Sequence, residues 1–231
     1  MYKKISKTDY NEENIFWITM SDLLLGLMII FLILFIMSMV GFSQAKVAEQ
    51  SAQTEMAEKL AKELVNNKID VNIDKMSGQV EISDLELFDI GSAKLSAKGK
   101  AYLDKFFPIY IDTIFSNPEV SDKVENLIIE GHTDSQMFRG LNSADEQYTK
   151  NLELSSMRAT EVANYVFKTN YNKKYSKKLH KVLIVEGKSN TEPILTNGKE
   201  DFNKSRRVEL EIRMKAGENV IEKMLNPNAS K

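Results

Sequence analysis

Residues 22–42 read DLLLGLMIIFLILFIMSMVGF, and this stretch decides the architecture. From Leu23 to Phe42 only Ser38 carries a side chain able to hydrogen-bond strongly. At helical rise the run covers roughly 30 Å, the hydrocarbon thickness of a bilayer, so a single membrane crossing is expected. Upstream, Ile15, Phe16, Trp17, Ile18 and Met20 continue the apolar pattern, which puts the expected span at 15–42 and places Asp22 inside it. The run is longer than the hydrophobic region of a signal peptide and lacks a convincing small-residue cleavage site, so it reads as a retained anchor.

Charge gives the orientation. Lys3, Lys4 and Lys7 precede the span and Lys46 alone follows closely, so the positive-inside rule puts residues 1–14 in the cytoplasm and everything beyond Phe42 outside the inner membrane. In a Gram-negative cell that compartment is the periplasm. The remaining length suits one compact domain and a connector. Lysine and arginine total 31 against 33 aspartates and glutamates, so no basic excess argues for nucleic acid as a partner. The absence of cysteine excludes a disulfide framework and a thiolate metal site.

Working outward, residues 43–67 are rich in Ala, Glu, Lys and Gln, with Val47, Ala52, Met56, Leu60 and Leu64 at helical intervals. They read as a periplasmic helical linker, either a solvated single helix or a short dimeric coiled coil. Residues 68–215 then alternate strand and helix signals. Short strands at 68–74 and 79–83 flank Ser77-Gly78, an amphipathic helix covers 96–115, and Leu127-Ile128-Ile129 marks a buried strand within 123–130. A second helix is expected over 151–169 and a strand over 182–186. In 207–214, Val208, Leu210, Ile212 and Met214 alternate with Arg207, Glu209, Glu211 and Arg213, so one face is buried. The expectation is a small layered α/β or α+β domain followed by a tail at 216–231.

Gly131-His132-Thr133-Asp134 at a strand end, then Asn151, Leu154-Ser155 and Arg158-Ala159, then Arg206-Arg207-Val208, form an ordered set of motifs, preceded by Leu87-Phe88-Asp89-Ile90-Gly91-Ser92-Ala93-Lys94-Leu95. In this set the chain resembles the OmpA-like peptidoglycan-binding domain over about residues 69–214. The resemblance implies a ligand site for the diaminopimelate of the cell-wall peptide, which carries an ammonium and carboxylates on one small group. Asp134 would pair with the ammonium and Arg158 would grip a carboxylate through its planar fork of donors. Asn151 and Leu154, near a helix N-terminus, would turn backbone donors toward the same ligand. Thr133, Tyr148, Arg206 and Arg207 are candidate supporting residues. Taken singly, the same residues read as a turn former, a helix cap, a core leucine and a surface ion-pair partner. Two departures stand out: residues 135–150 exceed the family's usual loop, and Ser205 occupies the place where the family has Asn. His132 reads as a strand-end structural residue, because no Ser, Cys or metal-ligand set accompanies it in sequence. No phosphate-binding glycine loop or acid/base pair is visible, so neither an enzyme activity nor a cofactor is expected.

For Asp22 two readings stand. Ser21 and Asp22 can cap a helix that begins there, with the carboxylate among headgroups. Alternatively, Asp22 binds and releases an ion between helices, since ionisable groups within a span mark ion pathways. Residues 17–28, from Trp17 through Ser21-Asp22-Leu23 to Gly26-Leu27-Met28, followed by an OmpA-like domain, resemble the MotB family of ion-driven stator subunits. Within it, the Ile-Phe-Leu continuation and short N-terminus most resemble the stator-like subunits of Zorya anti-phage systems. That resemblance implies a homodimer inside a pentamer of a MotA-like partner, proton flow past Asp22, a wall-bound domain, and indirect coupling to cytosolic defence effectors. A flagellar stator subunit and a passive wall anchor without ion traffic are the alternatives.

Overall fold

The computed structural model describes residues 7–89, 91–141 and 143–215. The expected N-terminal segment 1–14 lies partly, and the expected tail 216–231 wholly, outside these residues. The chain divides into two compact units, one of which runs Glu49–Lys215; the described part of the other is residues 7–48.

Helix α1 spans Lys7–Asn66. Among the described residues it is the one helix long and apolar enough to cross a membrane, over Asn14–Gln44. No side chain from Ile15 to Phe42 is buried by protein, so a continuous apolar surface is left for lipid. Because the helix begins upstream of Thr8, Asp22 is an interior residue and does not cap a helix end.

In the Glu49–Lys215 unit, α1 is followed by β1 (Asn72–Ile73), β2 (Val80–Ser83), α2 (Asp84–Leu87), α3 (Ala97–Phe115), α4 (Pro118–Ser121) and β3 (Val124–His132). Then come α5 (Ala144–Val166), a 3-10 turn at Lys173–Tyr175, α6 (Ser176–Val182), β4 (Leu183–Gly187), β5 (Leu195–Thr196), β6 (Lys199–Glu200), α7 (Phe202–Ser205) and β7 (Arg207–Met214). The main sheet has strand order β1-β2-β7-β3-β4. β7 lies antiparallel between β2 and β3, while β4 runs parallel to β3. A parallel neighbour needs a crossover, and α5 with α6 supplies it. Gly78, at φ +72°, closes the β1–β2 hairpin where its N–H donates to the Asp74 carbonyl at 2.7 Å.

Strand alternation sends Val80, Ile82, Leu127, Ile129, Val208, Leu210 and Ile212 into one core. Leu103, Phe106, Phe107, Tyr110 and Ile114 of α3 and Ala159, Val162 and Val166 of α5 meet them there. The Ser96 hydroxyl starts α3 by accepting the Gly99 N–H at 2.9 Å. α5 approaches the sheet closely because Gly131 and Gly187 lack side chains: a Cβ on Gly131 would stand 2.1 Å from the Ser155 carbonyl oxygen. This approach fixes the height of α5 over β3, and with it the position of Arg158.

Two expectations are corrected. Residues 43–67 are not a free linker throughout, since the folded unit begins at Glu49 and Met56, Ala57, Leu60 and Leu64 are buried in its core. From Met56 onward the apolar stripe finds its partner in the chain's own domain, whereas Val47 stays exposed. Gln53 adds polar fastening, donating to the carbonyls of Ser77 at 3.0 Å and Ile212 at 3.4 Å. The second helix, expected from Asn151, begins at Ala144, so the long loop is shorter than the sequence suggests. Its first turns are polar and, apart from the buried Gln147, exposed, so an apolar period cannot reveal them.

Leu60→Ala should lower unfolding stability of the extramembrane unit by about 2–5 kcal/mol, the usual cost of emptying a packed leucine site. Val65→Ala, at an exposed position of the same helix, should change it by less than about 0.5 kcal/mol. Denaturant titration of both variants checks this, and equal small effects would mean that the helix does not pack on the core.

Candidate ligand site

Four charged side chains from four elements converge at one end of the sheet. Asp134 follows β3, Asp84 opens α2 directly after β2, Arg158 projects from α5, and Arg206 stands just before β7. Arg158 Nη2 lies 3.1 Å from Asp84 Oδ2, and Arg158 Nε donates to the Ser92 carbonyl at 3.0 Å. Its guanidinium also lies 5.3 Å from the centre of the Phe88 ring. Arg206 Nη1 pairs with Asp134 Oδ2, whose other oxygen accepts the Gln136 N–H at 3.1 Å. The backbone joins the two pairs, because the Asp84 N–H donates to the Arg206 carbonyl at 3.1 Å.

The quartet is neutral as a whole but unevenly covered. The Arg158 and Asp84 side chains are 3% and 4% exposed, whereas those of Arg206 and Asp134 reach 24% and 10%. Burial pushes the Asp84 carboxyl above its ordinary range, against the opposing pull of Arg158 and Arg206. Burial likewise draws Arg158 down from the usual guanidinium range, while Asp84 pulls it back. The inner pair is therefore a structural charge pair, and the outer pair is the one a ligand meets first.

A cavity of about 430 Å³ opens beside Arg206, with Gln136, Lys199, Glu200, Phe202 and Asn203 in its wall. Much of that wall is the β5–β6 hairpin, tied to the strand end where the Ser135 N–H donates to Glu200 Oε1 at 3.1 Å. A larger cavity of about 770 Å³ lies along β1 and β2; neither cavity is lined by Asp134 or Arg158, and Arg206 is the member of the quartet that lines the smaller one. The smaller one meets the quartet through Arg206 and carries charges of both signs in its wall, with Lys199 beside Glu200 and Asp201.

The structure brings Asp134, Arg158 and Arg206 together and separates Arg207 from them. Arg207 pairs with Glu209 and donates to the carbonyls of Glu192 at 3.2 Å and Ser205 at 3.1 Å, so it supports the sheet and the loop before it. Asn151 is buried two turns into α5, where its N–H belongs to the helical ladder and cannot serve as a free N-terminal donor. The same holds for Leu154, which is half-buried further along that helix. Tyr148 has an exposed side chain, and its carbonyl accepts the Ser189 hydroxyl at 3.2 Å. Thr133 is buried, with its N–H on the Ser189 carbonyl at 2.9 Å and its hydroxyl without a partner among the described residues. Ser205 has a structural use, since its hydroxyl accepts the Ile194 N–H at 3.0 Å. Sequence reasoning missed Asp84 and the β5–β6 hairpin. A carboxylate just past an alternating strand was the available signal, but its partner is far away in sequence.

The fold, a mixed sheet with its crossover helices, agrees with the comparisons. Residues 87–207 match the OmpA family. The chain is 32% identical over 223 residues to Zorya protein ZorB of Escherichia coli strain Crooks, covering 91% of this chain and 92% of that one. A second Zorya protein ZorB, from Escherichia coli O139:H28, is 26% identical over 214 residues, covering 87% and 80%. The chain belongs to the OmpA family, and within it to the ZorB proteins. Among solved structures, a putative MotB-like protein from Desulfovibrio vulgaris superposes with TM-score 0.51 at 19% identity, covering 74% of this chain and 96% of that one. That likeness concerns the fold.

Asp84→Ala should cost about 3–5 kcal/mol, since it strands a buried guanidinium without its counter-ion. Glu86→Ala, which breaks an exposed pair with Lys98, should cost less than about 1 kcal/mol. Thermal or denaturant unfolding compares the two; an Asp84→Ala protein as stable as the parent would contradict the assigned role of the inner pair.

Proposed function

We propose that this chain is the wall-anchored stator subunit of a ZorA–ZorB type motor in anti-phage defence. The observation that carries the reading is the joining, in one chain, of an interior helical carboxylate on a lipid-suited surface to a domain with a neutral, partly open charge quartet. In this reading α1 crosses the inner membrane once, with the N-terminus cytoplasmic and the folded unit in the periplasm. Lys3, Lys4 and Lys7 support that orientation.

The working unit is a homodimer whose paired helices stand inside a pentamer of the MotA-like subunit ZorA. A single exposed helix has no second wall for an ion path, so Asp22 needs neighbours from other chains to be shielded from lipid. Asp22 takes up a proton from one side and gives it to the other, and its change of charge alters its contact with the surrounding ring. Peptidoglycan holds the periplasmic unit still, so the ring turns against a fixed axle and signals to cytosolic effectors.

At the wall, the ammonium of diaminopimelate competes with Arg206 for Asp134, its carboxylate meets the guanidinium of Arg206, and the buried Arg158 acts from behind by holding Asp84 and the Ser92 loop in place. Thr133, buried directly before Asp134, steadies that turn through its N–H on the Ser189 carbonyl. Tyr148, Asn151 and Leu154 act from the body and flank of α5 by shaping it.

Asp22→Asn should reduce phage protection to the level of cells lacking the protein while leaving membrane expression and peptidoglycan binding intact. Full protection by that variant would leave a passive anchor as the reading. Asp134→Asn should lower the fraction of the protein that sediments with purified peptidoglycan by at least about tenfold in apparent affinity, in keeping with loss of a charge-assisted contact. Unchanged sedimentation would remove the quartet from wall binding.

A further inference from the structure

The sheet face opposite the hydrophobic core carries a second buried charge cluster, separate from the quartet. His132 ends β3 with 1% exposure, and neither ring nitrogen has a hydrogen-bond partner among the described residues. Its Nε2 lies 3.5 Å from Glu130 Oε2 and 3.4 Å from Glu209 Oε2. The loop after β4 brings Glu192 to the same place, so that one ligand atom each from Glu130, His132 and Glu192 lie within 4.8 Å of one another.

These spacings are long for hydrogen bonds. Within the trio, the 3.5 Å between Glu130 Oε2 and His132 Nε2 suits a metal site better, since nitrogen and oxygen ligands about 2.0–2.2 Å from a tetrahedral zinc ion stand roughly 3.4 Å apart, and Glu192 brings its ligand atom within 4.8 Å of both. Charge points the same way. Arg207 matches Glu209, and Lys188 is shared between Glu186 at 3.1 Å and Glu130 at 3.4 Å. Glu130, Glu186, Glu192 and Glu209 outnumber Lys188 and Arg207, so the cluster is net acidic in either protonation state of His132. Glu209 is occupied, since Gln79 and Arg207 each hold one of its oxygens. Glu192 is exposed, which leaves a way in from solvent.

We propose that Glu130, His132 and Glu192 form a divalent-cation site of the zinc type, with three protein ligands and an open position for water. A bound ion would clip the loop after β4 to the end of β3, the strand that delivers Asp134. The proposal stands independently of the wall-binding reading. Glu130 and His132 share one strand face, but Glu192 joins them only through the fold.

The test is calorimetric titration of Zn²⁺ into the full chain, purified in detergent without a histidine tag and stripped with chelator. One Zn²⁺ per chain should bind, and Glu192→Gln should weaken binding by at least about tenfold, the scale on which zinc-site substitutions act. Because Glu192 is exposed, the metal-free thermal midpoint of that variant should equal the parent's. Co²⁺ in place of zinc should give the visible absorption of a tetrahedral site. Absence of binding, or an affinity unchanged by Glu192→Gln, would overturn the proposal.

Discussion

A guanidinium removed from water costs several kcal/mol unless it is paired and its donors are used, and the almost wholly buried Arg158 sets this constraint on the whole domain. The cost is met from three directions. Asp84 supplies the counter-charge, the Ser92 carbonyl takes the Nε proton, and the Phe88 ring lies against the guanidinium. The partners come from the stretch whose Leu87, Phe88 and Leu95 are also buried in the core. Core packing of Leu87 and Phe88 and the contacts to Arg158 together hold the short α2 turn and the loop through Ser92 over the sheet end.

That geometry depends in turn on how low α5 sits. Gly131 and Gly187 let the backbone and side chains of Ser155 and Ser156 come down onto β3 and β4, and any Cβ at either place would lift the helix. One turn beyond Ser155, Arg158 then reaches across to the ends of β2 and β3. The core beneath is completed by Met56, Leu60 and Leu64 of α1. The segment that leaves the membrane-suited part of the helix is thus also a structural member of the folded unit, and the packed unit begins well before the first strand.

Much of this was legible in the sequence because it is written in local periods. The apolar run at 23–42, the alternation at 207–214 and the helical stripe at 96–115 each depend only on neighbours along the chain. The ordered motifs around Asp134, Arg158 and Arg206 placed the site at one strand end and one helix. The sequence was silent where a side chain's partner lies far away. Asp84 looks like any acidic residue after a strand, Arg206 and Arg207 look interchangeable, and Glu192 looks like a loop residue. The polar first turns of α5 carry no period that would mark them as helix.

The sequence by itself determined a membrane-length apolar helix that carries a carboxylate, the main strand-and-helix order of the domain, and the residue types of its candidate site. These follow from hydrophobic periodicity and from short motifs, which are properties of a one-dimensional chain. Only the tertiary structure decided that Arg158 is neutralised by Asp84, that Arg206 faces Asp134 while Arg207 supports the opposite side of the sheet, and that residues 56–64 belong to the core. Charge pairing and burial depend on distances across the fold, and no spacing along the chain encodes those distances.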